Sequence, residues 1–204
     1  MDVVLAAVLS TLWLLAVLFF RLNRIWLPYY VIGSVGLAFL SIYIGRNTFV
    51  EPALQTAVAN GVHVVAQLTG IPTSTFNSAP GALLVLVISQ DIGWTMLQVT
   101  VESSGLLESG IVLGMLMFYP AWSIRKRALF VTVALLLTYA ANIIRLMVIV
   151  GTLHYAGKDS LLVSHTIIGR AVFFIAVIAI YWFLLTRPTL GAVRQKLNDQ
   201  MVKS

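Results

Sequence analysis

Five stretches of this 204-residue chain are apolar for long enough to cross a lipid bilayer, which restricts the fold before any single residue is considered. They run from Val3 to Phe20, Trp26 to Ile44, about Leu106 to Trp122, Ala128 to Leu153, and Leu162 to Leu185. About 20 apolar residues in a helix match the ~30 Å hydrocarbon core, where each backbone polar group must be satisfied within its own segment. With 60% of its residues hydrophobic and 10% charged, the chain has too little polar side chain to enclose itself in water. The expectation is an all-α polytopic membrane protein of about five transmembrane helices, forming one integral membrane domain over residues 1–204. Only Asp2 precedes the first span and no small-x-small site precedes Arg21, so that span is expected to be a membrane helix and not a cleaved signal peptide.

A formal charge of +6 would suggest nucleic acid in a soluble chain, but here the basic residues flank spans and serve to orient them. In a five-span arrangement Arg21, Arg24, Arg125, Lys126, Arg127, Arg187, Arg194, Lys196 and Lys203 fall on one side. Only Arg46 and Lys158 lie in the opposite loops. The expected topology in the cell membrane therefore has the N-terminus outside and the C-terminus in the cytoplasm, with the Arg194–Lys203 tail on the cytoplasmic lipid surface. Nucleic acid is not an expected partner. Cysteine is absent, which excludes disulfides and thiolate metal sites, and no phosphate-binding glycine loop or nucleotide fingerprint occurs. No cofactor or metal is expected.

The segment 46–103 is the largest part that does not read as a span. From Thr48 to Thr69, Glu51, Gln55, His63 and Gln67 recur at multiples of four, while Val50, Leu54, Val58, Val65 and Leu68 take the other side. This predicts an extracytoplasmic helix lying in the interface, with His63 solvated. Ile71 to Pro80 reads as a loop. Gly81–Gln90 and Trp94–Glu102 then read as a small β-hairpin turning at Asp91-Ile-Gly93, with Leu97, Val99 and Val101 alternating against Gln98, Thr100 and Glu102. The rival is a sixth span from Gly81 to Val101, which would bury Gln90, Asp91 and Gln98 and move the Arg125–Arg127 cluster outside.

Polar residues inside the spans point to function. The stretch from Ala128 to Leu153 carries Tyr139, Asn142 and Arg145, and an intramembrane arginine costs several kcal/mol unless water or a partner receives it. Asn142 and Arg145 are three apart and share a helix face. The blander reading is an arginine that snorkels to the interface or joins two helices. Ser103, Ser104 and Gly105 stand at the outer mouth of the third span, and Arg145 lies about two turns inside the outer end of the fourth. His165 and Arg170 occupy the first two turns of the fifth, so all fall in the outer half of the bilayer. Glu108 is positioned as a counter-ion for Arg145 or Arg170. Taken singly, Ser103 or Ser104 reads as a helix N-cap and His165 as a wet interfacial residue.

At these residues the chain resembles the exosortase and archaeosortase family. Val-Glu-Ser103-Ser-Gly resembles its Cys-Ser/Thr-Gly motif, Asn142-Ile-Ile-Arg145 its Asn-x-x-Arg motif, and His165-Thr-Ile-Ile-Gly169 its His-x-x-x-Gly motif, in the same order. The resemblance covers roughly Gln98 to Leu185, and the short length is similar to that of small members from Gram-positive bacteria. It implies a membrane-embedded cysteine transpeptidase that cleaves secreted proteins at C-terminal hydrophobic sorting tails and passes the acyl group to a lipid or glycan acceptor. It also implies an extracytoplasmic active site in which Ser103, Arg145 and His165 are catalytic. Asn142, Arg170, Glu108 and Ser104 would support the site or bind substrate.

The nucleophile position carries a hydroxyl where the motif has a thiol. A thiol ionises readily beside a cation, whereas a hydroxyl needs a well-placed base. Two readings stay open: an inactivated form whose only cysteine has been replaced, and a natural serine variant with His165 as base. Two other classes also stand, an intramembrane serine protease using Ser103 and His165 with water, and a non-catalytic protein whose arginines bind a lipid or glycan phosphate.

Overall fold

The computed structural model describes residues 3–79, 81–88, 93–160, 163–188 and 190–191. The expected turn at Asp91 and the basic tail from Arg194 to Lys203 lie outside the described residues. In chain order the elements are α1 (Val3–Leu22), α2 (Trp26–Arg46), α3 (Val50–Leu68), β1 (Thr73–Ala79), β2 (Gly81–Ile88), β3 (Gly93–Val99), α4 (Val101–Ser104), α5 (Leu106–Met117) and α6 (Ile124–Ala156). A 3₁₀ turn (Lys158–Ser160) and a π-helical turn (Ser164–Ile168) lead into α7 (Gly169–Tyr181), which ends in a second π-helical turn (Trp182–Thr186).

Four helical stretches are long and apolar enough to cross a membrane: Val4–Leu22, Trp26–Arg46, Ile124–Ala156 and Ser164–Thr186; Leu106–Met117 is a shorter apolar helix. The third span is thus shorter than the sequence suggests. At 1.5 Å per residue α5 covers only about 18 Å, and the chain beyond it, 118–123, is not helical. The guanidinium of Arg127 reaches back across this connection, donating to the Met117 carbonyl that the helix leaves free (2.9 Å) and to the Trp122 carbonyl of the connection itself (3.0 Å).

The spans pack as a row, α1 on α2, α2 on α5, α5 on α6, and α6 on α7. The α2–α5 contact depends on small residues. A Cβ on Gly114 would collide with the carbonyl oxygen of Ser34, so the two backbones touch there. That close approach maximises van der Waals contact where lipid removes the hydrophobic drive between helices.

Helix α6 is 33 residues long, about 50 Å, and exceeds the ~30 Å hydrocarbon thickness. Its last third is the core of a cap. Leu146, Ile149, Val150 and Leu153 are at most 1% exposed and pack with Val58, Ala59, Val62 and Ala66 of α3 and with Leu84, Leu97 and Val99 of the sheet. The α3 helix occupies nearly the expected span, but its buried face is Gln55, Val58, Ala59, Val62 and Ala66, while Leu68 is exposed. The polar stripe is therefore split: Gln55 turns inward and donates to Glu51 Oε1 at 3.1 Å. His63 is also engaged and not merely solvated, with Nδ1 2.8 Å from Thr73 Oγ1 and Nε2 3.2 Å from Gln67 Nε2.

The sheet has three antiparallel strands in the order β1-β2-β3, with Thr73 opposite Leu86 and Ala82 opposite Val99. The expected hairpin is β2–β3. Strand β1 is an addition, occupying residues that read as a loop. Leu97 and Val99 face inward as their alternation predicts, but the strand stops at Val99, and Val101, Glu102, Ser103 and Ser104 form α4 instead.

Candidate functional site

Helix α4 is a single turn, so its flanks position it. Strand β3 enters it directly, and Gly105 ends it with φ of 77°, in the left-handed region that costs a side-chain-bearing residue about 1–2 kcal/mol. The glycine of the Ser-Ser-Gly motif is thereby explained by the sharp bend from α4 into α5. Ser104 closes the bend, donating from Oγ to the Val101 carbonyl at 2.7 Å and accepting the Leu106 N–H at 3.2 Å. Neither serine is the helix N-cap that each reads as when taken singly: that position belongs to Thr100 for α4 and to Gly105 for α5. Ser103 is buried, at 3% exposure.

Helix α6 grips this turn from the side. Asn142 Nδ2 donates to the Ser103 carbonyl at 2.7 Å, and Arg145 Nη2 donates to the Glu102 carbonyl at 3.0 Å. Residues three apart on one helix face thus bind successive carbonyls of one short turn, which brings Ser103, Asn142 and Arg145 together. Tyr139 does not join them; its hydroxyl donates to the Ala57 carbonyl at 2.8 Å and ties α6 to α3.

Counted from Ala128, just past the basic cluster, Arg145 stands about 26 Å along α6, close to the far boundary of a ~30 Å hydrocarbon layer. Eleven further helical residues follow it, about three turns, so it is a boundary residue beneath the cap. Its guanidinium lies 4.9 Å from the ring centroid of Phe173, a cation–π contact made inside the bundle. Phe173 was missed in the sequence. The available signal was its spacing of three from Arg170 on the same span.

Arg145, Arg170, Glu102, Glu108 and Phe173 line one cavity of about 720 Å³. Arg145 interacts electrostatically with Glu108, Glu102 and Arg170. Glu108 does not form the close ion pair expected of it: among the described residues the salt bridge within 4.0 Å is Arg46–Glu51, at 3.9 Å. Arg145 Nε, Glu108 Oε2 and Asn142 Oδ1 are buried without hydrogen-bond partners. Each such group costs about 1–3 kcal/mol, and two of the three belong to residues lining this cavity. A second cleft of about 500 Å³, largely apolar, reaches Ser104 and Gly105 from the other side, between α5, α6 and the start of α3.

Arg170 and His165 separate. Arg170 lines the two-arginine cavity, whereas His165, half-buried in the first π-helical turn, does not. The register of α7 on α6 explains this. Gly169 packs on Ile149 and Phe173 on Arg145, which leaves His165 eight residues, about 12 Å, farther along the axis than Phe173. Among the described residues no cluster of three or more histidines and carboxylates could hold a metal ion.

A family model described as transmembrane exosortase matches residues 2–182, and no curated protein and no solved structure matches the chain. The match takes in the first two spans and the cap as well as the motif-bearing half. On that extent, this multi-pass membrane protein belongs to the transmembrane exosortase family.

Proposed function

We propose that the chain is the catalytic scaffold of a sorting transpeptidase. It receives secreted proteins that end in a hydrophobic tail, cleaves them just outside the membrane, and passes the acyl group to a lipid or glycan acceptor. The observation that carries this is the paired grip of Asn142 and Arg145 on the carbonyls of Ser103 and Glu102. It holds residue 103 at a helix bend beside a two-arginine cavity, which supports reading that residue as the nucleophile position for a membrane-anchored tail. The cap lies outside the cell and the Arg21, Arg125–Arg127 and Arg187 ends lie in the cytoplasm, in keeping with the positive-inside rule.

Position 103 supplies the attacking atom. With sulfur there, Arg145 stabilises the thiolate or the developing oxyanion in a low-dielectric pocket where such donors act strongly. His165 moves the proton, taking it from the nucleophile and later delivering one to the leaving amine. To do so it must come closer to Arg145 than its present position, and the π-helical turn that carries it is the place where the span can change register. Arg170 holds substrate or an acceptor phosphate. With oxygen at position 103 the scaffold is intact but its nucleophile stays neutral, so the chain binds substrate and turns it over poorly.

The test is the Ser103→Cys variant, co-expressed with a secreted reporter ending in an apolar span and a basic cluster and read by intact mass. Loss of the tail with a mass gain larger than water supports transfer. A gain of water alone indicates a hydrolase, and an uncut reporter with no thiol labelling of the variant favours a non-catalytic phosphate-binding protein.

A further inference from the structure

The strand that leads into α4 carries its own information. Sheet order β1-β2-β3 places β3 at an edge, paired with another strand on one side only among the described residues. Alternate residues of β3 therefore turn an N–H and a C=O away from β2. Natural edge strands are usually blunted by lysine, proline or a bulge, because an open edge is a template for another strand. The sequence of β3, Gly-Trp-Thr-Met-Leu-Gln-Val, contains no charge and no proline, and its pairing with β2 runs without a bulge from Gly93 to Val99. Its outward face carries two large apolar side chains followed by Gln98, which is exposed and makes an interaction of its own. Trp94 and Met96 are 59% and 52% exposed, on the side opposite the buried Leu97 and Val99. The other edge, β1, reads Thr-Ser-Thr-Phe-Asn-Ser-Ala and its pairing with β2 is interrupted between Phe76 and Ala79. Only one of the two edges is both regular and largely apolar, and it ends four residues before Ser103.

We propose that the outer edge of β3 is the docking strand for the extended segment of substrate that precedes the scissile bond, which pairs with it as a fourth strand. The proposal deepens the transpeptidase reading and rests on it for the identity of the occupant, a secreted chain anchored by its C-terminal tail. The direction of pairing follows from topology. Such a substrate runs N to C from outside toward the bilayer, and β3 runs from Gly93 toward α4 and the membrane helix α5, so the two strands pair in parallel. Seven residues of β3 span about 23 Å, enough to hold six or seven substrate residues. Main-chain hydrogen bonds then give affinity with little sequence demand, and Trp94 and Met96 select apolar side chains at alternate substrate positions.

Disulfide mapping in the cysteine-free chain tests this. Trp94→Cys and Met96→Cys, with Ser74→Cys and Phe76→Cys on β1 as controls, are paired with single cysteines walked through the ten residues ahead of the apolar span of the reporter. In membranes, the β3 variants are expected to cross-link to alternate reporter positions, the partner of Met96→Cys lying two residues after the partner of Trp94→Cys, with no cross-link from β1. In the Ser103→Cys background, Trp94→Glu should lower processing about tenfold and Phe76→Glu should not. The opposite register, cross-links without periodicity, or cross-links to a second copy of this chain would overturn the proposal. The two readings fail separately. Register on β3 with no processing leaves the docking strand standing and removes transfer, processing without cross-links removes the docking strand alone, and the absence of both removes both.

Discussion

The cap and the bundle are built from similar residues and held by different forces. In the cap, Val58, Ala59, Val62, Ala66 and Val150 are fully buried, and nonpolar side chains converge on one dry centre as in a water-soluble domain. In the bundle the direction reverses. Leu12, Leu15, Phe19, Phe39, Phe174 and Ile175 are all more than half exposed, facing what must be lipid, and contact between helices depends on small residues such as Gly114 at Ser34. The hydrophobic effect therefore organises the cap, while the bundle relies on close packing and a few interhelical hydrogen bonds. The Ser103 turn sits at the seam, delivered by a cap strand, continued into a membrane helix, and gripped by the one helix that belongs to both regions. A change on either side should register in the chemistry only as far as it moves that turn.

The largest effects should come from the seam itself. In the Ser103→Cys background, Arg145→Ala and His165→Ala are each expected to lose processing by on the order of 100-fold or more with protein level and insertion unchanged; intact-mass time courses check this. Arg170→Ala should weaken substrate capture more than turnover. An inert His165→Ala beside a dead Arg170→Ala would transfer the catalytic role to the arginine that already shares the cavity with Arg145.

Next are changes that should distinguish the regions. Leu153→Ala or Leu84→Ala, in the cap core, should destabilise the cap by roughly 2–5 kcal/mol, read as faster proteolysis of the segment from α3 to β3 while the spans stay protected. Leu12→Ala, on the lipid face of α1, removes as many atoms and should leave both regions unchanged. Equal protease sensitivity in the two variants would mean the regions are one cooperative unit. Gly105→Ala is intermediate, at about 1–2 kcal/mol of strain in the left-handed region, and should slow processing more than it exposes the cap.

The division between legible and illegible follows the same boundary. Span existence, the pairing of Asn142 with Arg145, and the inward face of Leu97 and Val99 were readable because a bilayer or a half-buried sheet imposes a simple period. Strand β1 was not, since Thr, Ser and Asn favour turns locally, and only pairing with β2 makes them a strand. The third span was overestimated because apolar residues 118–122 continue its composition without continuing its helix. The inward turn of Gln55 depends on its bond to Glu51, which no periodicity reveals. The separation of His165 from Arg170 depends on how α7 registers against α6 at Gly169 and Ile149, a tertiary fact absent from either segment alone.

The unbroken length of α6 has one more consequence. Because a single rigid rod anchors in the bilayer and also forms the centre of the cap, the proposed nucleophile position is held at a set elevation, like a blade clamped to a post. Where a tethered polypeptide is severed should then be decided more by measurement than by spelling. Spacer residues added between the cut and the buried anchor should move the cut by the same count toward the anchor, preserving the distance and changing the residues at the break.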